Sequence, residues 1–150
     1  MIMSRFTFKK EERLSSKKLI DELFSTGSSF YLQPFKIFFA SPEKIGTGLN
    51  IPENVTLYSG VAPARVLISV SKNNFKRAVD RNKIKRLIRE AYRLNKKGLY
   101  ESLEKKNKQL IIAILYTSKK IEPFSSIQQK LVAVLMRLAE DQNVAEKHPA

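Results

Sequence analysis

Apolar residues recur along this chain with two periods, and the switches between them mark out its elements. Leu19, Ile20, Leu23 and Phe24 share one side at helical spacing, with Ser15-Ser16 ahead of them and Gly27 behind. A short helix to about Ser25 is expected there, capped by serine and stopped by a left-handed glycine. From Ser28 to Ala40 the period drops to two. Phe35, Ile37 and Phe39 point one way and Lys36, Phe38 and Ala40 the other, so the segment reads as strand, with Pro34 a bulge, edge or break. Arg65 to Ser71 alternates again, Val66, Ile68 and Val70 against Leu67, Ser69 and Ser71.

The helical period returns with Ile84, Leu87, Ile88, Ala91 and Leu94. This second helix should start between Asn74 and Asp80, either of which can cap it, and end near Asn95 to Gly98. After a polar linker, Leu110 to Tyr116 is apolar on both faces, as an interior strand would be. Pro123 opens a last helix with Phe124, Ile127, Leu131, Val134, Leu135 and Leu138 in one stripe, and the tail beyond Asp141 should fray.

The element order is therefore α-β-β-β-α-β-α. It predicts an α+β protein, a two-layer sandwich in which a small mixed four-stranded sheet packs against three helices. The strands flanking the second helix should be parallel, joined by a crossover whose default hand is right. A length of 150 residues fits one domain (1–150) with a basic arm at 1–13 and a flexible tail at 142–150. Residues 41–64, with three of the five glycines and three of the six prolines, read as a surface loop insertion, with a short strand at most over Val55 to Tyr58. Gly46-Thr47-Gly48 lacks the helix that a phosphate cradle needs.

Charge changes the picture most at the second helix. Lys72 to Lys97 holds eleven basic residues against two acids, a net +9 out of a formal +14 for the chain. Asn82, Lys85, Arg86, Arg89, Arg93 and Lys96 cluster opposite the apolar side, and only Glu90 interrupts them. Like charges at i, i+4 cost roughly 0.2–0.5 kcal/mol per pair. A merely solvated helix usually alternates signs to relieve this, so a polyanion-binding face is the better account. Nucleic acid is the expected partner, ahead of an acidic membrane surface. The Lys36 and Phe38 pair admits two readings: an ordinary strand face, or a site where a base stacks on the ring while the lysine meets a phosphate.

Catalytic chemistry is hard to assemble from these residues. The lone histidine, His148, stands near the end of the sequence, and Asp21, Asp80 and Asp141 are scattered, with Asp80 better placed as a cap. No carboxylate cluster for Mg²⁺, histidine pair or Ser-His-Asp order is available, so a protein-only nuclease is disfavoured. Without cysteine there are no disulfides or zinc thiolates. No signal-like apolar core or run of about eighteen apolar residues occurs, so the chain is expected to be soluble and cytoplasmic. A DNA-binding helix-turn-helix would need a short helix ahead of the basic one, where a strand is expected instead.

The segment Arg81-Asn82-Lys83-Ile84-Lys85-Arg86-Leu87-Ile88-Arg89-Glu90-Ala91-Tyr92-Arg93 resembles the signature of the bacterial ribonuclease P protein subunit. Ile68-Ser69-Val70-Ser71-Lys72, Ala78-Val79 and Arg13-Leu14, with the later apolar pair ending in Phe24 and then Gly27, extend the resemblance from about Arg13 to Asp141. It implies an RNA-binding protein that partners a catalytic RNA. That RNA, with Mg²⁺, removes the 5′ leader of precursor tRNA, while the protein alone holds no cofactor. The implied partners are ribonuclease P RNA and precursor tRNA in a complex with one monomer of the protein, with no membrane. The family's crossover is left-handed.

Position by position, the resemblance implies that Arg81, Asn82, Lys83, Lys85, Arg86, Arg89 and Arg93 meet the catalytic RNA. Ile20, Phe24, Lys36, Phe38, Ser69, Ser71 and Lys72 would line the leader cleft. Lys83 replaces an arginine, Ile20 a position often aromatic, and the Lys72 to Arg77 approach is one residue longer and lacks the family's glycine. The alternative is a ribosomal-type or RNA-chaperone protein, which shares the charge but has no leader cleft.

Overall fold

A computed structural model describes residues 12–41 and 63–144. The arm up to residue 11, the insertion over 42–62 with its suggested strand, and His148 lie outside the described residues. Helix α1 (Lys17–Thr26) begins at Ser16, whose side chain accepts the Leu19 N–H at 3.4 Å, and buries Leu19 and Leu23. It ends at Gly27, whose N–H donates to the Leu23 carbonyl at 2.9 Å. The left-handed stop expected there is not found: Gly27 is extended, with φ −74° and ψ 163°. Close approach explains the residue instead. A Cβ at Gly27 would stand 2.5 Å from the Leu23 carbonyl oxygen and 3.2 Å from that of Phe39.

Of the bulge, edge or break expected at Pro34, the structure has a break: 28–40 is a hairpin of β1 (Ser28–Leu32) and β2 (Phe35–Ala40), with Pro34 in the turn between them. Strand β3 (Ala64–Val70) leads to α2 (Ala78–Asn95), then α3 (Lys97–Lys105), β4 (Leu110–Tyr116) and α4 (Phe124–Val144). The sheet order is β1-β2-β4-β3, with β2 antiparallel and β3 parallel to β4. The parallel pair around α2 and the mixed four-stranded sheet agree with the sequence.

There are four helices among the described residues rather than three. Helix α3 occupies what reads as a polar linker, and Gly98, expected as a stop, falls in its first turn. Its buried pair Leu99 and Leu103 is a single i, i+4 step among lysines and glutamates, too short to establish a period. At the front of α2 neither expected cap operates. Arg77 holds the cap position without a side-chain bond, while Asp80 lies in the first turn, 3.7 Å from the Arg77 guanidinium. An acid there complements the helix dipole without capping.

The sheet is lined on both faces, which the two-layer expectation did not include. On one face Phe35, Ile37, Val66, Ile112 and Ile114 pack with residues of α2, α3 and α4, including the whole expected α4 stripe. On the other, Ala40, Ile111 and Ala113 pack with Leu14, Leu19 and Leu23 of α1 and its approach. Strand β4 contributes to both, which is why it is apolar throughout. Each fully buried Leu or Ile is worth roughly 1.5–3 kcal/mol in removed apolar area, so α1 is fixed mainly by Leu19 and Leu23.

Candidate nucleic-acid interface

Helix α2 lies with Ile84, Ile88, Ala91 and Tyr92 buried and Leu87 at the margin. Leu94, assigned to the apolar side, is 40 % exposed; Tyr92 takes the buried place. Rolling the helix this way turns Asn82, Lys83, Arg86 and Arg89 outward and leaves Lys85 half-buried. None of these four cations takes part in an ion pair among the described residues. Arg93 differs, because its Nε donates to Glu90 at 3.1 Å and its second nitrogen reaches the other carboxylate oxygen. That contact holds the Glu90 carboxyl below the usual carboxylate range and raises Arg93. Arg81 also has a local job: its Nη1 donates to the carbonyls of Phe75 at 2.8 Å and Lys76 at 3.0 Å, fastening the approach loop to the helix.

Lys96 is not on the ridge. It is 3 % exposed, with its Nζ bound to the carboxylate of Glu12, itself 4 % exposed. The Tyr100 hydroxyl donates to the same oxygen and the Tyr92 hydroxyl donates to Tyr100 at 3.0 Å. The Lys96 ammonium also lies 5.1 Å from the centre of the Tyr100 ring. Burial pushes both phenols well above their ordinary values. The helical wheel failed at Lys96 because α2 ends at Asn95, and the chain turns there into α3.

The α1 side of the sheet is the second candidate surface. Register puts Ser29, Phe38, Ala113 and Leu67 in one row, and Tyr31, Lys36, Leu115 and Ser69 in the next. Helix α1 covers the Ala40 and Ile111 end and leaves the Tyr31 row beyond it. Phe24, 39 % exposed, meets Phe38 edge-on with ring centres 4.9 Å apart, and the Lys36 Nζ lies 5.3 Å from the Phe38 centroid. Ile20 is half-buried beside them, packed with Phe38 and Leu115 against the same small core. Ser69 is half-buried, and exposed Ser71 accepts the Asn73 N–H at 3.0 Å, so its hydroxyl is partly engaged by its own turn. Lys72 is exposed in that turn, which Phe75 anchors by burial against Tyr116.

Two members of this surface escaped the sequence reading. Tyr31 and Leu115 flank Lys36 in the same row, and Tyr31 is 55 % exposed. Alternation assigns faces only over Phe35 to Ala40, and the turn at Pro34 resets which residues share a face, so Tyr31 was not connected to Lys36. Among the described residues no three His, Cys, Asp or Glu side chains gather where a metal could be held. No helix among them is long and apolar enough to cross a membrane.

A family model described as Ribonuclease P matches residues 8–139. The chain belongs to the ribonuclease P protein family. The ribonuclease P protein component of Porphyromonas gingivalis is 33 % identical over 134 residues, covering 89 % of this chain and 88 % of that one. That of Chlorobium phaeobacteroides is 31 % identical over 144 residues, covering 89 % and 90 %. The fold is shared with the ribonuclease P proteins of Thermotoga maritima (TM-score 0.59, 24 % identity, 84 % of this chain and 96 % of that one) and Staphylococcus aureus (TM-score 0.59, 22 % identity, 85 % and 94 %). Membership in the ribonuclease P protein family carries RNA binding, tRNA processing and a part in an endoribonuclease holoenzyme. The ribosomal-type or chaperone alternative is not favoured.

Proposed function

We propose that this chain joins a ribonuclease P RNA, as one monomer per RNA in the cytoplasm, and helps that RNA and its Mg²⁺ remove the 5′ leader from precursor tRNA. The observation that carries this reading is the face of α2. Lys83, Arg86 and Arg89 are exposed, Lys85 is half-buried, and none has a carboxylate partner among the described residues. With Asn82 between them, they offer phosphates a row of donors that the fold itself does not neutralise. Arg81 would add the guanidinium nitrogens left over from the loop carbonyls, with Arg93 further along the same helix.

The leader would lie on the open sheet face. Phe24 and Phe38 offer ring surface to bases, Lys36 and Lys72 meet phosphates, and Ile20, Ser69 and Ser71 line the path. Stacking and phosphate contacts tolerate many sequences, which suits a substrate whose leaders vary. A basic protein touching both polyanions offsets their mutual repulsion, which Mg²⁺ would otherwise have to screen. The protein's own residues bind and position; the metal-assisted hydrolysis belongs to the RNA.

The test is reconstitution with a ribonuclease P RNA at low Mg²⁺. Precursor tRNA cleavage should occur with RNA and protein together and with neither alone. Failure to restore cleavage would remove the reading, and Mg²⁺-dependent cleavage by the RNA-free protein would point to a nuclease of another kind.

A further inference from the structure

The edge strand β1 adds an aromatic residue to the open face that the sequence comparison does not assign. Tyr31 is the register partner of Lys36, so its side chain leaves the sheet on the same face as Lys36 and Phe38. Phe38 is its diagonal neighbour, at a spacing of about 7–8 Å that aromatic side chains can span. The ring is held at one end. Thr117 donates its hydroxyl proton to the Pro34 carbonyl at 2.9 Å, which leaves its oxygen to accept the Tyr31 hydroxyl at 3.1 Å. The Thr117 N–H donates to the same carbonyl at 2.8 Å. The Thr117 carbonyl accepts from the Asn74 side chain at 3.4 Å, tying the group to the turn that carries Lys72.

Tyr31 is 55 % exposed, so its ring keeps a face open to a base. Here the ring is anchored by its hydroxyl, has a lysine beside it, and lies between the Phe24–Phe38 pair and the turn leading to the basic helix. We infer that Tyr31 is a further stacking platform for single-stranded RNA, extending the leader path by one nucleotide beyond the Phe24–Phe38 pair. This rests on the leader reading above. Lys36, between the two rings, meets the phosphate that joins the two bound nucleotides. Fixing the ring through Thr117 lowers the ordering cost of stacking, so contact to any base is favoured without sequence preference.

The experiment uses the reconstituted holoenzyme and precursor tRNAs whose leaders lengthen one nucleotide at a time. Affinity should rise in steps, and Tyr31→Leu should remove the step at one leader length by about fivefold or more, leaving shorter leaders unaffected. Tyr31→Phe, which keeps the ring, should retain most of that step. An abasic nucleotide at the corresponding leader position, tested with unaltered protein, should cost as much, and the loss should not add to that of Tyr31→Leu. An abasic nucleotide that cost nothing with unaltered protein would overturn the proposal even if the leucine variant folds poorly. Equal affinities for Tyr31→Leu and the parent at every length, or additive losses, would overturn the assignment of Tyr31. If Phe24→Leu and Phe38→Leu were also silent at every length, the leader path itself would be wrong.

Discussion

Lys96 carries the sharpest lesson at the scale of single residues. Its charge and spacing made it one more member of a cationic face, yet it is buried against a glutamate 84 positions away in sequence. Periodicity contains no information about such a partner; only the tertiary fold brings Glu12 beneath the α2–α3 junction. Two ions with 4 % and 5 % side-chain exposure have given up most of their hydration, and their attraction repays this only while both are present. Glu12→Gln should therefore destabilise the protein by about 3–5 kcal/mol in urea unfolding, because it strands the Lys96 charge. The double variant Glu12→Gln with Lys96→Met should recover much of that loss. Equal losses in the single and double variants would mean that packing, and not a stranded charge, sets the cost. The exposed Arg93–Glu90 contact should matter far less, since surface pairs contribute around 0–1 kcal/mol.

Among the elements, those with a long, strongly periodic pattern were legible and those defined by turns were not. The stripe of α4, the alternation of β3 and the two-sided β4 all lie where their residues indicate. Their burial is repeated often enough to outweigh any single exception. The extended Gly27 and the short α3 depend on local geometry or on one pair of leucines, while Pro34 signalled an interruption without fixing it as a turn. Helix α2 falls between these cases. Its buried face was mostly readable, while its true end at Asn95 was not, and Tyr92 displaced Leu94 from the interior.

The same helix bears like charges at Lys85, Arg89 and Arg93, a strain that folding alone does not require. Arg86→Ala together with Arg89→Ala should leave the melting temperature unchanged or slightly higher, since both i, i+4 repulsions of Arg89, with Lys85 and with Arg93, disappear. The slope of log affinity for ribonuclease P RNA against log salt should become shallower by roughly 1.5–2 units if both residues meet phosphates. A slope that did not move would take α2 out of the interface.

For the molecule as a whole, a formal charge of +14 acts on folding and on RNA binding with opposite signs. In the free protein the unpaired cations repel one another across the surface, and this repulsion falls as the Debye length shrinks from about 10 Å at 0.1 M to 3 Å at 1 M. The buried Glu12–Lys96 pair is largely shielded from that screening, so added salt should raise the melting temperature of the protein alone. If RNA binds as proposed, phosphates would neutralise the same cations, and salt would compete with the contact through counterion release. RNA should therefore raise the melting temperature strongly at low salt and progressively less as salt increases, because the stabilisation follows the ratio of free RNA to its dissociation constant. Thermal unfolding with and without RNA across a salt series would show the two curves converging from opposite directions. If the free protein instead lost stability with salt, attractive surface pairs would outweigh repulsion, and the cationic face of α2 would be less bare than its geometry indicates.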